Sequence, residues 1–216
     1  MELPYDREVY TTLIGGYNRD YLVFVVTGAA ICFAGTAVAA MPSVARHIAV
    51  KRLIMAGLAL CSLFVGGVHQ MILMASLNFT APVYGGLWIA QGLLLLWLAA
   101  SGRASDLFDA PPARQLAGLA IAVYGLVLHP ALVQIVSGDG FLTAAFPGTT
   151  PDATALVIAG LVLTMRNPPL VALVVPLVWA GIAGFTAYLL SFPLGFAVPA
   201  GLGLMVAYSL YARFLR

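Results

Sequence analysis

The sequence predicts an all-α fold, a polytopic transmembrane helix bundle, and three observations carry that prediction. Apolar residues fill 62% of the 216 positions and charged residues only 8%, against roughly 25% charged in an ordinary soluble domain. The mean hydropathy is +1.01. The apolar residues gather into seven stretches, with the charges in the gaps, and most stretches approach the ~20 residues needed to cross a hydrocarbon core of roughly 30 Å. One membrane domain, 1–216, is therefore expected, with no soluble segment long enough to bury a core of its own.

The elements follow in order. Residues 1–19 read as an outer interfacial segment. Within it Tyr5, Val9, Leu13 and Tyr17 recur every four residues beside Tyr10 and Ile14, which predicts a short amphipathic helix ended by Gly15-Gly16. Met1 to Asp20 is polar and acidic, unlike a cleavable signal peptide, so the first span is expected to act as its own insertion signal. The predicted spans are 20–41, 53–77, 83–101, 115–137, 152–166, 170–190 and 194–213. Links such as Asn78-Phe79-Thr80-Ala81-Pro82 and Ser191-Phe192-Pro193 separate them. No internal repeat is evident, and an odd helix count argues against paired inverted halves. Gly66-Gly67, Gly181 with Gly184, and Gly201 with Gly203 are expected to let helices approach closely. Cys32 and Cys61 lie inside apolar runs and read as buried packing residues.

The fifth span is short, about 15 residues or roughly 22 Å. Its lead-in, Phe146-Pro147-Gly148-Thr149-Thr150-Pro151-Asp152, predicts Thr150 as N-cap, Pro151 at the first helical position and Asp152 next. The helix would then start below the outer surface, where non-helical backbone must be covered by protein or line a wet cavity. Its positive end would suit an anionic or carbonyl-bearing ligand.

Orientation follows from the basic residues. Arg46, Lys51, Arg52, Arg103, Arg114, Arg166, Arg213 and Arg216 all fall on one side of the predicted spans. Only Arg7 and Arg19 fall on the other, among Glu2, Asp6, Glu8, Asp20, Asp139 and Asp152. The N-terminus is thus expected outside and the C-terminus in the cytoplasm. Without a basic face, nucleic acid is not an expected partner.

Polar groups inside a bilayer are costly and mark candidate sites. No Asp, Glu, Lys or Arg lies in the middle of a span, which argues against ion-coupled pumping and against a retinal Schiff base. His69 and Gln70, Gln91, and Tyr124, His129 and Gln134 remain, with Thr27 in the first span. His69, Gln91 and His129 each stand about eight residues, or roughly 12 Å, from the outer end of their helix. They and Tyr124, Thr149 and Thr150 are the candidate ligand-binding residues. The plainer alternative is that they satisfy one another and join helices. Pro130, directly after His129, would open the backbone there.

Tyr17-Asn18, His69 with the Asn78–Pro82 link, Gln91-Gly92-Leu93-Leu94-Leu95 and Phe146-Pro147-Gly148-Thr149-Thr150-Pro151 together resemble an uncharacterised bacterial family. Its members are multi-pass membrane proteins with a domain of unknown function, some labelled transporter permeases. The resemblance covers nearly the whole chain and implies the bacterial inner membrane and no known enzymatic activity. It also implies Cys-Pro-Thr-Thr before the fifth span and an aromatic residue at position 129. This chain has neither, which removes any role of that cysteine and weakens a metal or haem role.

Four functions are open. The chain could bind or pass a small solute through an outward-facing polar pocket, or serve as a non-catalytic accessory subunit of a larger membrane complex or homo-oligomer. It could be a redox subunit, in which His69 and His129 ligate a b-type haem or His69 meets a quinone. Intramembrane hydrolysis is least supported, since no Ser-His, paired Asp or His-Glu-x-x-His arrangement is present. No catalytic residue, metal or resident cofactor is predicted. Solute handling requires a cavity reaching His69 and Gln91; an accessory role requires those groups satisfied in a solid bundle.

Overall fold

The computed structural model describes residues 7–137, 140–189, 198 and 200–203. Among them all regular structure is helical. The principal helices are α1 (Arg7–Asp20), α2 (Leu22–Val38), α3 (Ile48–Ser76), α4 (Ala81–Ala100), α5 (Pro112–Ile135), α6 (Pro151–Leu163) and α7 (Val171–Leu189). Four of these, α3, α4, α5 and α7, are long and apolar enough to cross a membrane, and the bent α1–α2 pair makes up to five. Three quarters of the predicted span 194–213 lies outside the described residues.

Three boundaries differ from the sequence expectation. Gly15-Gly16 does not end the amphipathic helix, which continues to Asp20. Gly15 is buried, with the Thr143 methyl 3.5 Å from where a Cβ would stand. At Tyr21 the chain turns 87° into α2. That helix has only 17 residues, because Pro42 keeps Met41 out of the helical region (φ −120°, ψ 78°) and the chain leaves the helix before it. The α3 helix begins at Ile48 instead of 53. Lys51 is therefore part of the helix, with its ammonium donating to the Ser105 carbonyl at 2.7 Å and to Asp109 at 2.8 Å.

Two long helices change pitch. The α3 helix widens to a π turn over Val65–Leu73, and α5 does so over Tyr124–Leu128. In α5 the cause is local. Pro130 carries no N–H and its ring clashes with the carbonyl four residues back, and the wider turn lies directly before it. The expected opening is thus an in-line π turn.

The centre of the bundle is α6. Twelve of its 13 residues are buried, all but Asp152. Its lead-in from Pro147 to Thr150 is buried as well, so the non-helical backbone there is covered by protein. The α5–α6 crossing is set by a reciprocal glycine pair. A Cβ on Gly118 would stand 2.5 Å from the Gly160 carbonyl oxygen, and one on Gly160 the same distance from that of Gly118. Gly66 makes the close approach expected of it, against Gly85, whereas Gly67, Gly181 and Gly203 have nothing within 4 Å. Cys32 and Cys61 are buried and free, and lie beside each other between α2 and α3.

The outer surface inverts the usual rule. Val23, Phe33, Leu53, Ile72, Leu116 and Phe185 are exposed along the helices, well beyond the scattered apolar residues of a soluble surface. The two ends of the bundle also differ. At one, the basic links meet: Arg114 donates to the Met165 and Arg166 carbonyls at 2.7 and 2.6 Å, and Asn167 to Asp106 at 3.1 Å. Beside them the Arg103 guanidinium lies 5.1 Å over the Trp97 ring. At the opposite end α1 is tied to the 140–150 segment. Asn18 donates to the Leu142 carbonyl and, at 3.0 Å, to that of Ala144, and the Tyr17 hydroxyl donates to the Thr149 carbonyl at 3.0 Å.

Candidate ligand-binding site

A cavity of about 100 Å³ opens beneath α1, room for several waters or one small solute. His69 from the α3 π turn and His129 from α5 both line it, 2% and 1% exposed. Neither nitrogen of either ring has a hydrogen-bond partner among the described residues. Buried polar groups are normally paired and cost about 1–3 kcal/mol each when they are not, so four such nitrogens on one cavity mark it as a site. Tyr17 stands edge-on to His69, with ring centroids 5.4 Å apart, and closes that side without offering it a hydrogen bond.

The α6 lead-in forms one wall through a chain of hydroxyls. Gly148, held at φ +87°, donates its N–H to Thr154 Oγ1 at 2.8 Å, and that hydroxyl donates to the Thr150 carbonyl at 2.5 Å. Thr150 occupies the N-cap position with extended backbone, as expected, but its hydroxyl makes no cap bond. It turns back to the Phe146 carbonyl at 2.7 Å. Asp152, in the first turn of α6, lines the cavity and accepts the Trp179 indole N–H at 2.6 Å.

The structure brings together His69, His129 and Thr150 and separates the other predicted residues. Gln91 does not reach the cavity. Its amide donates to the Ala172 carbonyl at 2.9 Å, in the first turn of α7, whereas the cavity begins at Trp179 on that helix. Seven residues of rise set the two levels about 10 Å apart. Counting residues from helix ends misplaced it, since α4 starts at Ala81 and His69 sits on a widened turn. Gln91 joins α4 to α7. Tyr124 lies behind His129, ring centroids 6.3 Å apart and tilted, and does not line the cavity. Thr149 is buried behind the wall, accepting the Tyr17 hydroxyl on its carbonyl.

Asp152, which the sequence marks only as a helix-start residue, and Trp179, which no sequence pattern singles out, both face the cavity. At the α6 N-terminus, where the sequence suggests an anionic or carbonyl-bearing ligand, the Asp152 carboxylate stands on the cavity and Pro151 brings no N–H. No group of three or more metal-ligating side chains is present among the described residues.

No curated protein and no solved structure matches the chain. The sequence model of a family of unknown function, DUF6064, matches residues 7–214. That span takes in every element and every cavity residue described, in keeping with the resemblance read from the sequence, and the chain belongs to this family.

Proposed function

We propose that this is an integral inner-membrane protein that binds, or passes, a small polar solute in the cavity between His69 and His129. The observation that carries the reading is the pair of buried imidazoles with unpartnered nitrogens on one cavity. An accessory bundle would satisfy its polar groups internally; the four ring nitrogens of His69 and His129 have no partner among the described residues. Membrane residence is supported by the apolar outer surface and by helices of spanning length. The finer topology proposed is seven spans with the N-terminus outside. It draws support from the collection of basic links at the end of the bundle away from the cavity. Reporter fusions at residue 216 and in the 101–111 link should be active only in the cytoplasm; an extracytoplasmic signal from either reverses the assignment.

The solute is sought by extracting the protein in mild detergent and measuring what it carries by native mass spectrometry. Wild type should release a small molecule that the His69→Ala/His129→Ala double variant, folded by circular dichroism, does not hold. Equal retention by the variant removes the cavity from the proposal. An absorbance spectrum of the same sample reads the redox alternative: a Soret band lost in the variant would replace solute binding with haem ligation.

A further inference from the structure

Resting on the solute-binding reading of the same cavity, we propose that its ligand is a small organic cation of the alkylammonium class, drawn in by Asp152. The argument begins with charge. Among the described lining residues Asp152 alone is an acid, and no lysine or arginine joins it. A cavity with one carboxylate and no fixed cation, in surroundings of low dielectric, repels an anion and attracts a cation far more strongly than water would allow. The α6 dipole, equivalent to about half a charge, offsets only part of the carboxylate.

The remaining groups fit the same class. One Asp152 oxygen is occupied by the Trp179 indole, which fixes the carboxylate's position. His69 and His129 come from two other helices, and a neutral imidazole offers one acceptor nitrogen. An ammonium carries donors only, and three such acceptors around one cavity match it. Tyr10, Tyr84 and Trp179 supply aromatic wall, which suits both the cation and an attached alkyl group. The small volume limits the ligand to a few heavy atoms.

The test uses the full chain in lipid nanodiscs, titrated calorimetrically with ethylammonium, ethanol and acetate, three probes of similar size and different charge. Ethylammonium should bind saturably, and Asp152→Asn should weaken it at least tenfold. Ethanol or acetate binding as tightly as ethylammonium would overturn the cation assignment and leave solute binding standing. So would an Asp152→Asn variant that binds ethylammonium like wild type. The probe series on wild type needs no variant, so a folding defect in Asp152→Asn does not rescue the proposal. Binding by none of the three overturns it, and co-purification then decides the solute reading separately.

Discussion

Placing a methyl group on either member of the Gly118/Gly160 pair should loosen the bundle at its centre. The new Cβ would stand 2.5 Å from a carbonyl oxygen of the facing helix, where a relaxed carbon–oxygen contact is about 3.3 Å. The obstacle is backbone, so α5 and α6 must part by about 0.8 Å, and α6 is walled in on its other sides as well. Overpacking of this kind costs about 1–3 kcal/mol. Three α5 atoms within 3 Å of the new Cβ, two of them backbone, put Gly160→Ala at the upper end of that range; alanine's better helix propensity returns up to about 1 kcal/mol, leaving a net loss of about 2 kcal/mol. In a chain of this size that lowers the melting temperature by about 4–8 °C. Thermal unfolding in detergent micelles, followed by tryptophan fluorescence, reads it. Gly181→Ala is the control, because nothing lies within 4 Å of its Cβ; it should be neutral or slightly stabilising. Both variants of the pair open the same gap, so their effects should combine to less than the sum. A Gly160→Ala protein melting at or above wild type would refute the crossing geometry, as would strict additivity.

Other perturbations follow from contacts at the two ends. Burial pushes the Tyr17 phenol well above its ordinary value, so the folded state holds a proton that the unfolded chain releases above about pH 10. Stability should therefore be intact below pH 10 and fall as pH rises beyond it. Tyr17→Phe should flatten that alkaline loss while costing about 0.5–1.5 kcal/mol near neutrality for the lost bond to Thr149. Lys51→Met should destabilise by about 1–3 kcal/mol, chiefly by leaving the Ser105 carbonyl without its donor; an unchanged denaturation midpoint would count against the buried contact. Oxidation with copper phenanthroline should join Cys32 to Cys61. Peptide mapping of the oxidised protein should find that cross-link in wild type and not in Cys32→Ser; two alkylatable thiols after oxidation would show α2 and α3 packed differently.

Much of the architecture was legible because hydrophobic length and turn chemistry agree. Thr80-Ala81-Pro82 marks the start of α4 within two residues, and Pro151 marks that of α6. The failures have physical causes. Lys51 and Arg52 looked like a link because charge at a helix end usually means solvent, yet Lys51 folds onto Asp109 inside the structure. Gly15-Gly16 looked like a stop because glycine frees the backbone, yet tertiary packing on Thr143 and Leu142 holds the helix through it. His69 and His129, which line the cavity, stand out in the sequence by their chemistry, since a polar ring in an apolar run has few reasons to be there. Gln91 fits the same rule and was misplaced by a count of helical rise that ignored the π turn. Asp152 and Trp179 come together across 27 positions of sequence, a juxtaposition no local pattern encodes.

The burial of α6 bears on how this chain can be assembled. At 13 residues the helix is about 20 Å long, well short of the hydrocarbon thickness, and in a bilayer it would be mismatched on its own. Nor does it have an exposed side. It is held by α5 and α7 closed around it, so it should form together with its neighbours and not as an independent segment. The wall that carries Thr150 and Asp152 is completed in the same step, so the cavity exists only where this central helix is packed.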